Sequence, residues 1–402
     1  MVQNSTACRQ SASSRVPIAF FFSDEAKHWQ GGLNYYRSLF YAIHDYADDL
    51  IEPVVFAGTS QVIVDLDLSF AIRSFVSPVF RRKSLPWILN ELCYRILGRP
   101  LLATREVIKS GIRIQSHCRP SCNHRLKSIA WIPDFQHLHH PGFFSDRDIR
   151  SRNRTFGHYL RKSDLVLFSS ESALSDLDFF SPEYSPKARV LRFTAIPPKL
   201  EKDCSVHVFG EYGIRGRYFY IPNQLWTHKN HVVAVRALAI VASSHPDLVI
   251  VCSGSFDDYR NPGHISSLKS LIQSFGLESR FLLLGVIPYP HIPILMANSV
   301  ALINPSLFEG WSTTVEEAKA IGAPMILSDI DVHREQCPSG EAVFFDPMSP
   351  ESLARCMELF LAGANSRPDI LSTVESSIAI HRQRSKDFAL RYASIIGELT
   401  NS

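Results

Sequence analysis

Short apolar runs that suit buried strands alternate with stretches carrying apolar residues at helical spacing, and this alternation occurs twice along the 402 residues. Pro17 to Phe22 reads as a first strand, Leu33 to Tyr46 as a helix and Glu52 to Ala57 as the next strand, with later strands at Ser128 to Ile132 and Asp164 to Ser169. Pro197-Pro198 interrupts the pattern. It restarts with a strand at Tyr218 to Ile221, a helix at His231 to Ser243, a strand at Leu248 to Cys252 and a helix at Ile265 to Phe275. A strand at Phe281 to Leu284, a helix at Ile292 to Ala297, a strand at Val300 to Ile303, a helix at Thr313 to Ile321 and a strand at Pro324 to Leu327 precede a helical tail. Such alternation calls for mostly parallel sheets covered by helices on both faces. The chain is too long for one compact core, so two doubly wound domains of about 200 residues each are expected. A disordered tail over residues 1–16, a first domain over 17–200 and a second over 201–384 follow from this pattern.

Composition narrows the class. With 45% hydrophobic and 20% charged residues, the chain is ordinary for a soluble protein. No apolar run reaches the roughly 18 to 20 residues needed to span a bilayer, and Met1 to Pro17 is polar and Ser-rich without the apolar centre of a signal peptide. A cytoplasmic protein is expected, with the option of peripheral contact at the inner membrane face. The eight cysteines are scattered, as suits reduced thiols. Charge is uneven: residues 1–198 hold 25 Lys and Arg against 18 Asp and Glu, whereas 199–402 hold 17 against 21. The excess is densest from Arg81 to Lys127, where eleven cations face only Glu91 and Glu106. That stretch suits either a solvated face or an anionic surface such as lipid. No recognition motif supports nucleic acid.

Loops at the carboxyl ends of the expected strands carry the chemistry-bearing residues, and such ends are where open parallel sheets bind ligands. Trp29-Gln-Gly-Gly-Leu-Asn-Tyr35 leads from the first strand into the first helix, and Gly31-Gly32 lets backbone approach a ligand. Gly-x-Gly-x-x-Gly and the P-loop are both missing, which removes the main support for a dehydrogenase or an NTPase. Ile221-Pro-Asn-Gln-Leu-Trp-Thr-His-Lys-Asn-His231 places Lys229 among amides and imidazoles, where it can neutralise a diphosphate. In Asn304 to Pro324, Glu309 precedes the helix and Glu317 lies within it. First-turn amides from about Trp311 to Val315 offer an anion site there. Glu316 is expected to be a solvated helix residue.

Three Asp-x-Asp sequences, at Asp65, Asp146 and Asp329, are too common a pattern to identify a metal site, and His117-Cys118 with Cys122-x-His124 fits no standard zinc spacing. No metal and no cofactor are expected.

Pro-Asn-Gln-x-Trp-x-His-Lys-Asn-His followed by Ser-Leu-Phe-Glu-Gly-Trp-x4-Glu-Glu-Ala resembles the retaining nucleotide-sugar glycosyltransferases of family 4, which have the GT-B fold. The resemblance extends from Gly31-Gly32 through Trp131-Ile-Pro-Asp-Phe-Gln-His137 to the carboxy-terminal helix. It implies two Rossmann-like domains facing across a cleft, the first binding the acceptor and the second the nucleotide-sugar. A helix over about 385–402 would cross back to the first domain, with Phe388, Tyr392 and Ile395 as candidate staples. It implies Glu309 as reader of the transferred sugar, Glu317 as reader of the ribose and Lys229 as holder of the diphosphate. Gly310, Trp311, Ser312, Thr313, Asn223, Gln224, Gly31 and Gly32 would complete the donor site, and Gly285 and Val286 would meet the base. Asp134 is carried over by position, and His137 becomes a candidate for sugar or acceptor contact, with His139 and His140 as neighbours. The partners implied are a UDP- or GDP-linked sugar and a glycan or lipid-linked acceptor.

This sequence departs from the pattern at Gln224, where many relatives carry arginine, and at Pro133-Asp134, where they carry His-Asp. The activity implied is hexosyl transfer to an acceptor hydroxyl with retained anomeric configuration, in cell-surface polysaccharide or glycoconjugate synthesis. A nucleotide-sugar epimerase or hydrolase and a non-catalytic sugar-binding protein are the alternatives.

Overall fold

The computed structural model describes residues 15–22, 30–197, 205–258, 260–363 and 370–400. Contacts divide the chain into two compact units, Met1–Trp131 with Lys162–Leu165 and Lys386–Ser402, and Ile132–Arg161 with Val166–Ser385. Most of the expected tail and Pro198 of the expected boundary lie outside the described residues.

Thirteen described strands form two sheets. The first comprises β1 (Val16–Phe22), β2 (Ile51–Ala57), β3 (Arg73–Val76), β4 (Ile114–Ser116), β5 (Lys127–Ile132), β6 (Leu165–Phe168) and β7 (Ala188–Val190), in the order β3-β2-β1-β4-β5-β6-β7. The second comprises β8 (Tyr218–Ile221), β9 (Val249–Cys252), β10 (Phe281–Leu283), β11 (Leu302–Asn304), β12 (Met325–Ser328) and β13 (Ala342–Phe345), in the order β10-β9-β8-β11-β12-β13. The pairings are parallel. Both orders are those of Rossmann-like sheets, in which the winding reverses beside the first strand. The protein is therefore an α/β molecule with two parallel Rossmann-like sheets.

Period-two alternation assigns each residue of β8 to a face. Phe219 and Ile221 join a core with helices His231–Val241, His264–Ser274 and Pro350–Gly363, whereas Tyr218 and Tyr220 join a core with helices His291–Asn298 and Thr313–Ile321. Both faces are covered, so β8 is buried along its whole length. Within the first unit, the end of helix Ile370–Thr400 packs by Tyr392 against Phe20 and His117, with ring centroids 6.4 and 6.0 Å apart, and by Phe388 against Tyr35 at 6.3 Å.

The short or polar strands β3, β4 and β7 lack a readable apolar run, and each joins the sheet through its parallel neighbour. Phe135, at 0% exposure, packs among Phe156, Phe168 and Phe180. Among the described residues, no helix is long and apolar enough to cross a membrane.

Candidate functional site

β8 and β11 are neighbours and flank the point where the winding of the second sheet reverses. Their carboxyl ends lead into the two loops of interest. After β8 the chain makes a 3-10 turn at Thr227–Lys229, and Asn230 at φ +53° joins that turn to helix His231–Val241. Asparagine tolerates this left-handed conformation, and the Asn230 amide donates to the Pro347 carbonyl at 2.9 Å. Trp226 is also held structurally, with Nε1 donating to the Asp257 carbonyl at 2.8 Å. After β11 the chain runs to Ser312, whose hydroxyl accepts from Val315 N and starts helix Thr313–Ile321.

Cross-links bring the two loops together. Leu307 N donates to the His228 carbonyl at 2.8 Å, Asn223 Nδ2 to Asn304 Oδ1 at 3.0 Å, and Thr314 Oγ1 to Asn223 Oδ1 at 3.2 Å. At the end of this frame, Lys229 Nζ lies 2.5 Å from Glu309 Oε1, with both side chains largely buried at 14% and 10% exposure. Ser306 Oγ is 2.7 Å from both Glu309 Oε1 and Asn304 Oδ1, and its single proton serves one acceptor at a time. Burial pushes the Glu309 carboxyl up, but the Lys229 charge, His333 and the hydrogen bonds from Lys229 and Ser306 outweigh it. The group is held below its ordinary value and stays ionised.

Glu317 sits differently. Its carboxylate borders Tyr289, Ile292, Pro293 and Met296 and accepts from the Tyr289 hydroxyl at 3.1 Å. Although the residue keeps part of its surface open, desolvation of the carboxyl pushes its pKa up to about 7, and the tyrosine bond opposes this only in part.

Glu316 corrects the expectation of a solvated residue. It is buried, accepts from Gln336 Nε2 at 3.0 Å and lies 3.8 Å from Lys319 Nζ. Helix Asp331–Gln336 covers this flank, and Gln336 also exchanges hydrogen bonds with Ser312, through Oε1 to its N–H and Nε2 to its carbonyl. The anion site is correspondingly narrower than expected, because Ser312 N and Val315 N are taken. The amides of Thr313 and Thr314 have no acceptor among the described residues.

Gly310 is required by close approach. A Cβ there would stand 2.4 Å from the Pro133 carbonyl oxygen and 3.0 Å from Asp134 Cβ. Asp134 itself accepts from Gln136 N at 2.9 Å and Arg152 Nη2 at 2.8 Å. His137 is buried among Phe135, Phe144, Phe156 and Phe180, with Nε2 2.8 Å from Asn153 Oδ1. His139 and His140 lie instead beside Phe308, the neighbour of Glu309, with ring centroids 5.2 and 6.0 Å away, and His139 Nε2 is 2.6 Å from Asp176 Oδ1.

Trp311 Nε1 donates to the Phe193 carbonyl at 2.9 Å, and Gln224 Oε1 accepts from Ser255 N at 2.7 Å. Gly285 has φ +73° and its carbonyl accepts from Gly254 N, while the following Val286 is 79% exposed. Gly31 and Gly32 lie in the first turn of helix Gln30–Tyr46, and Trp29 with the rest of 23–29 lies outside the described residues.

Arg260 and Tyr289 are absent from the sequence-derived site. Arg260 Nη2 lies 3.2 Å from His228 Nδ1, its Nη1 donates to Gln136 Oε1 at 3.0 Å, and its guanidinium sits 5.1 Å from the Trp226 ring centroid. Burial, Lys229 and Arg260 hold the His228 pKa well below its ordinary value, so the neutral imidazole accepts from Arg260. No local motif marks either residue, because each reaches the site from a separate loop. Among the described residues, no group of three or more His, Cys, Asp or Glu is placed to hold a metal ion.

The segment that builds both loops has a recognisable family pattern. Residues 214–372 match the family of group 1 glycosyl transferases. This match covers under half of the chain. The O-antigen chain mannosyltransferase RfbU of Salmonella typhimurium is 26% identical over 162 residues, 40% of this chain and 42% of that protein. The mannosylfructose-phosphate synthase of Agrobacterium fabrum is 23% identical over 152 residues, 36% of this chain and 33% of that protein. The chain thus spans less than half the length of the curated relatives it matches. Anabaena Alr3699/HepE, solved in complex with UDP and glucose, shares the fold, with a TM-score of 0.68 and 15% identity over 96% of this chain and 99% of that one.

Proposed function

We propose that the protein is a family 4, retaining, metal-independent glycosyltransferase. It moves a hexosyl group from a nucleoside diphosphate sugar to the hydroxyl of a glycan or lipid-linked acceptor in cell-surface polysaccharide or glycoconjugate synthesis. The observation that carries this reading is the Lys229–Glu309 pair, set at the winding reversal of the second sheet beside the free Thr313 and Thr314 amides. A diphosphate takes Lys229 and those amides, and the sugar hydroxyls take Glu309, so one donor replaces both halves of the ion pair. Glu317 receives the ribose hydroxyls, Gly285 and Val286 border the base, and Arg260 supplies the second cation in place of the arginine missing at Gln224.

Glu309, held ionised below the ordinary carboxyl range, is a weak base. This supports a mechanism in which the departing phosphate accepts the proton of the incoming hydroxyl, while the protein contributes position and charge stabilisation. The match to group 1 glycosyl transferases and to a mannosyltransferase supports transfer as the reaction class.

A second reading has one observation in its favour. Two carboxyls driven apart, one low and one at about 7, form the acid and base pattern of a hydrolase. The separate partners of Glu309 and Glu317 argue for separate binding tasks.

Titration calorimetry with UDP, GDP and ADP tests the donor site, and incubation of the matching sugars with and without acceptor tests the reaction. Binding of one nucleoside diphosphate, sugar release that depends on an acceptor, and an unchanged anomeric configuration by proton NMR are expected. Absence of binding by all three diphosphates would overturn the reading. Release of free sugar at full rate in water, abolished in kcat by Glu317→Gln, would establish the hydrolase instead.

A further inference from the structure

Helix Leu85–Leu97 is amphipathic with its faces reversed. Leu85, Ile88, Leu89, Leu92 and Ile96 recur at spacings of three and four, which places them on one stripe about 100° wide. All five are exposed, with Leu85 at 76% and Ile96 at 77%. The buried residue of this helix is instead polar: Asn90 Oδ1 accepts from Leu102 N and Ala103 N, both at 3.1 Å. It thereby caps the next helix, Leu101–Lys109, whose own cap residue is Pro100 and has no side-chain acceptor. Both ends of Leu85–Leu97 are fixed, by Ser84 Oγ accepting from Trp87 N and by Gly98 at φ +67°. The apolar stripe thus belongs to a well-terminated helix that turns it outward.

The rim of this stripe is cationic. Arg81, Arg82 and Lys83 precede the helix, Arg95 flanks it and Arg99 follows it, all exposed. Glu91, the one acid on the helix, is engaged by Arg119 at 2.6 Å. A second copy of the chain meeting this face about a twofold axis would bring two cationic rims together. An anionic bilayer accepts both parts at once, with leucine and isoleucine side chains entering the acyl boundary and arginine and lysine meeting lipid phosphates.

We propose that helix Leu85–Leu97 docks the protein onto an anionic phospholipid surface, lying in the interface plane with Leu85, Leu89, Leu92 and Ile96 inserted. This inference concerns the first unit and stands independently of the donor-site reading.

The test is flotation of the full chain with lipid vesicles, either pure phosphatidylcholine or phosphatidylcholine containing about 30 mol % phosphatidylglycerol. Wild-type protein should float with the anionic vesicles and partition at least about tenfold less into the neutral ones. Leu92→Glu with Ile96→Glu should reduce partitioning about tenfold or more, since it removes two inserted side chains and adds two negative charges. Arg81→Gln with Arg82→Gln and Lys83→Gln should reduce it several-fold and weaken its dependence on salt. All these positions are exposed, so an unchanged thermal melt verifies the fold of both variants.

Failure of wild-type protein to float with anionic vesicles would overturn the proposal, as would equal flotation of the Leu92→Glu, Ile96→Glu variant. Sedimentation velocity supplies the remaining arm. A wild-type dimer that the glutamate pair dissociates, without vesicle binding, would assign the face to a second copy and refute the lipid assignment.

Discussion

Replacing Lys229 by alanine separates the role of the buried ion pair in stability from its role in binding. Glu309 keeps little exposed surface, and its ionised state depends on the ammonium 2.5 Å away. Without that partner, burial dominates and the carboxyl pKa rises above its ordinary value. Removing one member of a buried pair typically costs about 3–5 kcal/mol, because an unpaired charge is left behind. For a unit of about 250 residues this corresponds to a loss of roughly 6–10 °C in melting temperature.

The sign of the pH dependence is fixed. In Lys229→Ala the folded protein binds a proton at Glu309 more readily than the unfolded chain does, so the damage should be greatest near neutral pH and smaller in acid. Lys229→Met with Glu309→Gln removes both charges at similar volume and should recover most of the loss. Differential scanning calorimetry at about pH 5 and about pH 7.5 measures all of these. Nucleoside diphosphate binding should be lost in the single and the double variant alike. A Lys229→Ala protein as stable as wild type at neutral pH, or a double variant no better than the single, would refute the argument.

The other residues of the site give further outcomes. The Glu317 carboxyl titrates near 7 instead of its usual 4.5, so its contribution to stability declines as pH rises through that interval, and Glu317→Gln should flatten the decline. Because ribose hydroxyls favour the ionised form, UDP or GDP affinity by calorimetry should weaken below about pH 7 more steeply in wild type than in Glu317→Gln. Gly310→Ala forces a Cβ against the Pro133 carbonyl and should lower stability by about 1–3 kcal/mol in denaturant titration. Arg260→Ala removes the second cation and leaves the His228 acceptor without its donor; it should weaken diphosphate binding about tenfold or more, whereas Gln224→Ala should change it little.

Much of the architecture was legible because buried parallel strands must be apolar on both faces. Tyr218–Ile221 and Thr313–Ile321 appear at the predicted bounds, the latter because Ser312 and Gly322 terminate it with local chemistry. The strands Arg73–Val76 and Ile114–Ser116 escaped because their pairing partners, not their composition, make them strands. Within the site, the positions of Glu309 before the helix and Glu317 within it could be read from spacing. Burial of Glu316 could not, since it is imposed by Gln336 from another helix. The direct Lys229–Glu309 contact was likewise invisible, because a sequence separation of 80 residues is closed only by adjacency of β8 and β11.

That contact has a consequence for selectivity. Lys229 carries its own counterion, so an incoming anion competes with Glu309 before it can reach the ammonium. Inorganic phosphate offers negative charge alone and would strand Glu309 without a donor. A molecule that couples phosphate oxygens to a hydroxyl-bearing ring can satisfy the lysine and the carboxylate in one exchange. Rejection of the cell's abundant free phosphate would then arise from the ground state of the protein itself, before any closure or chemistry takes place.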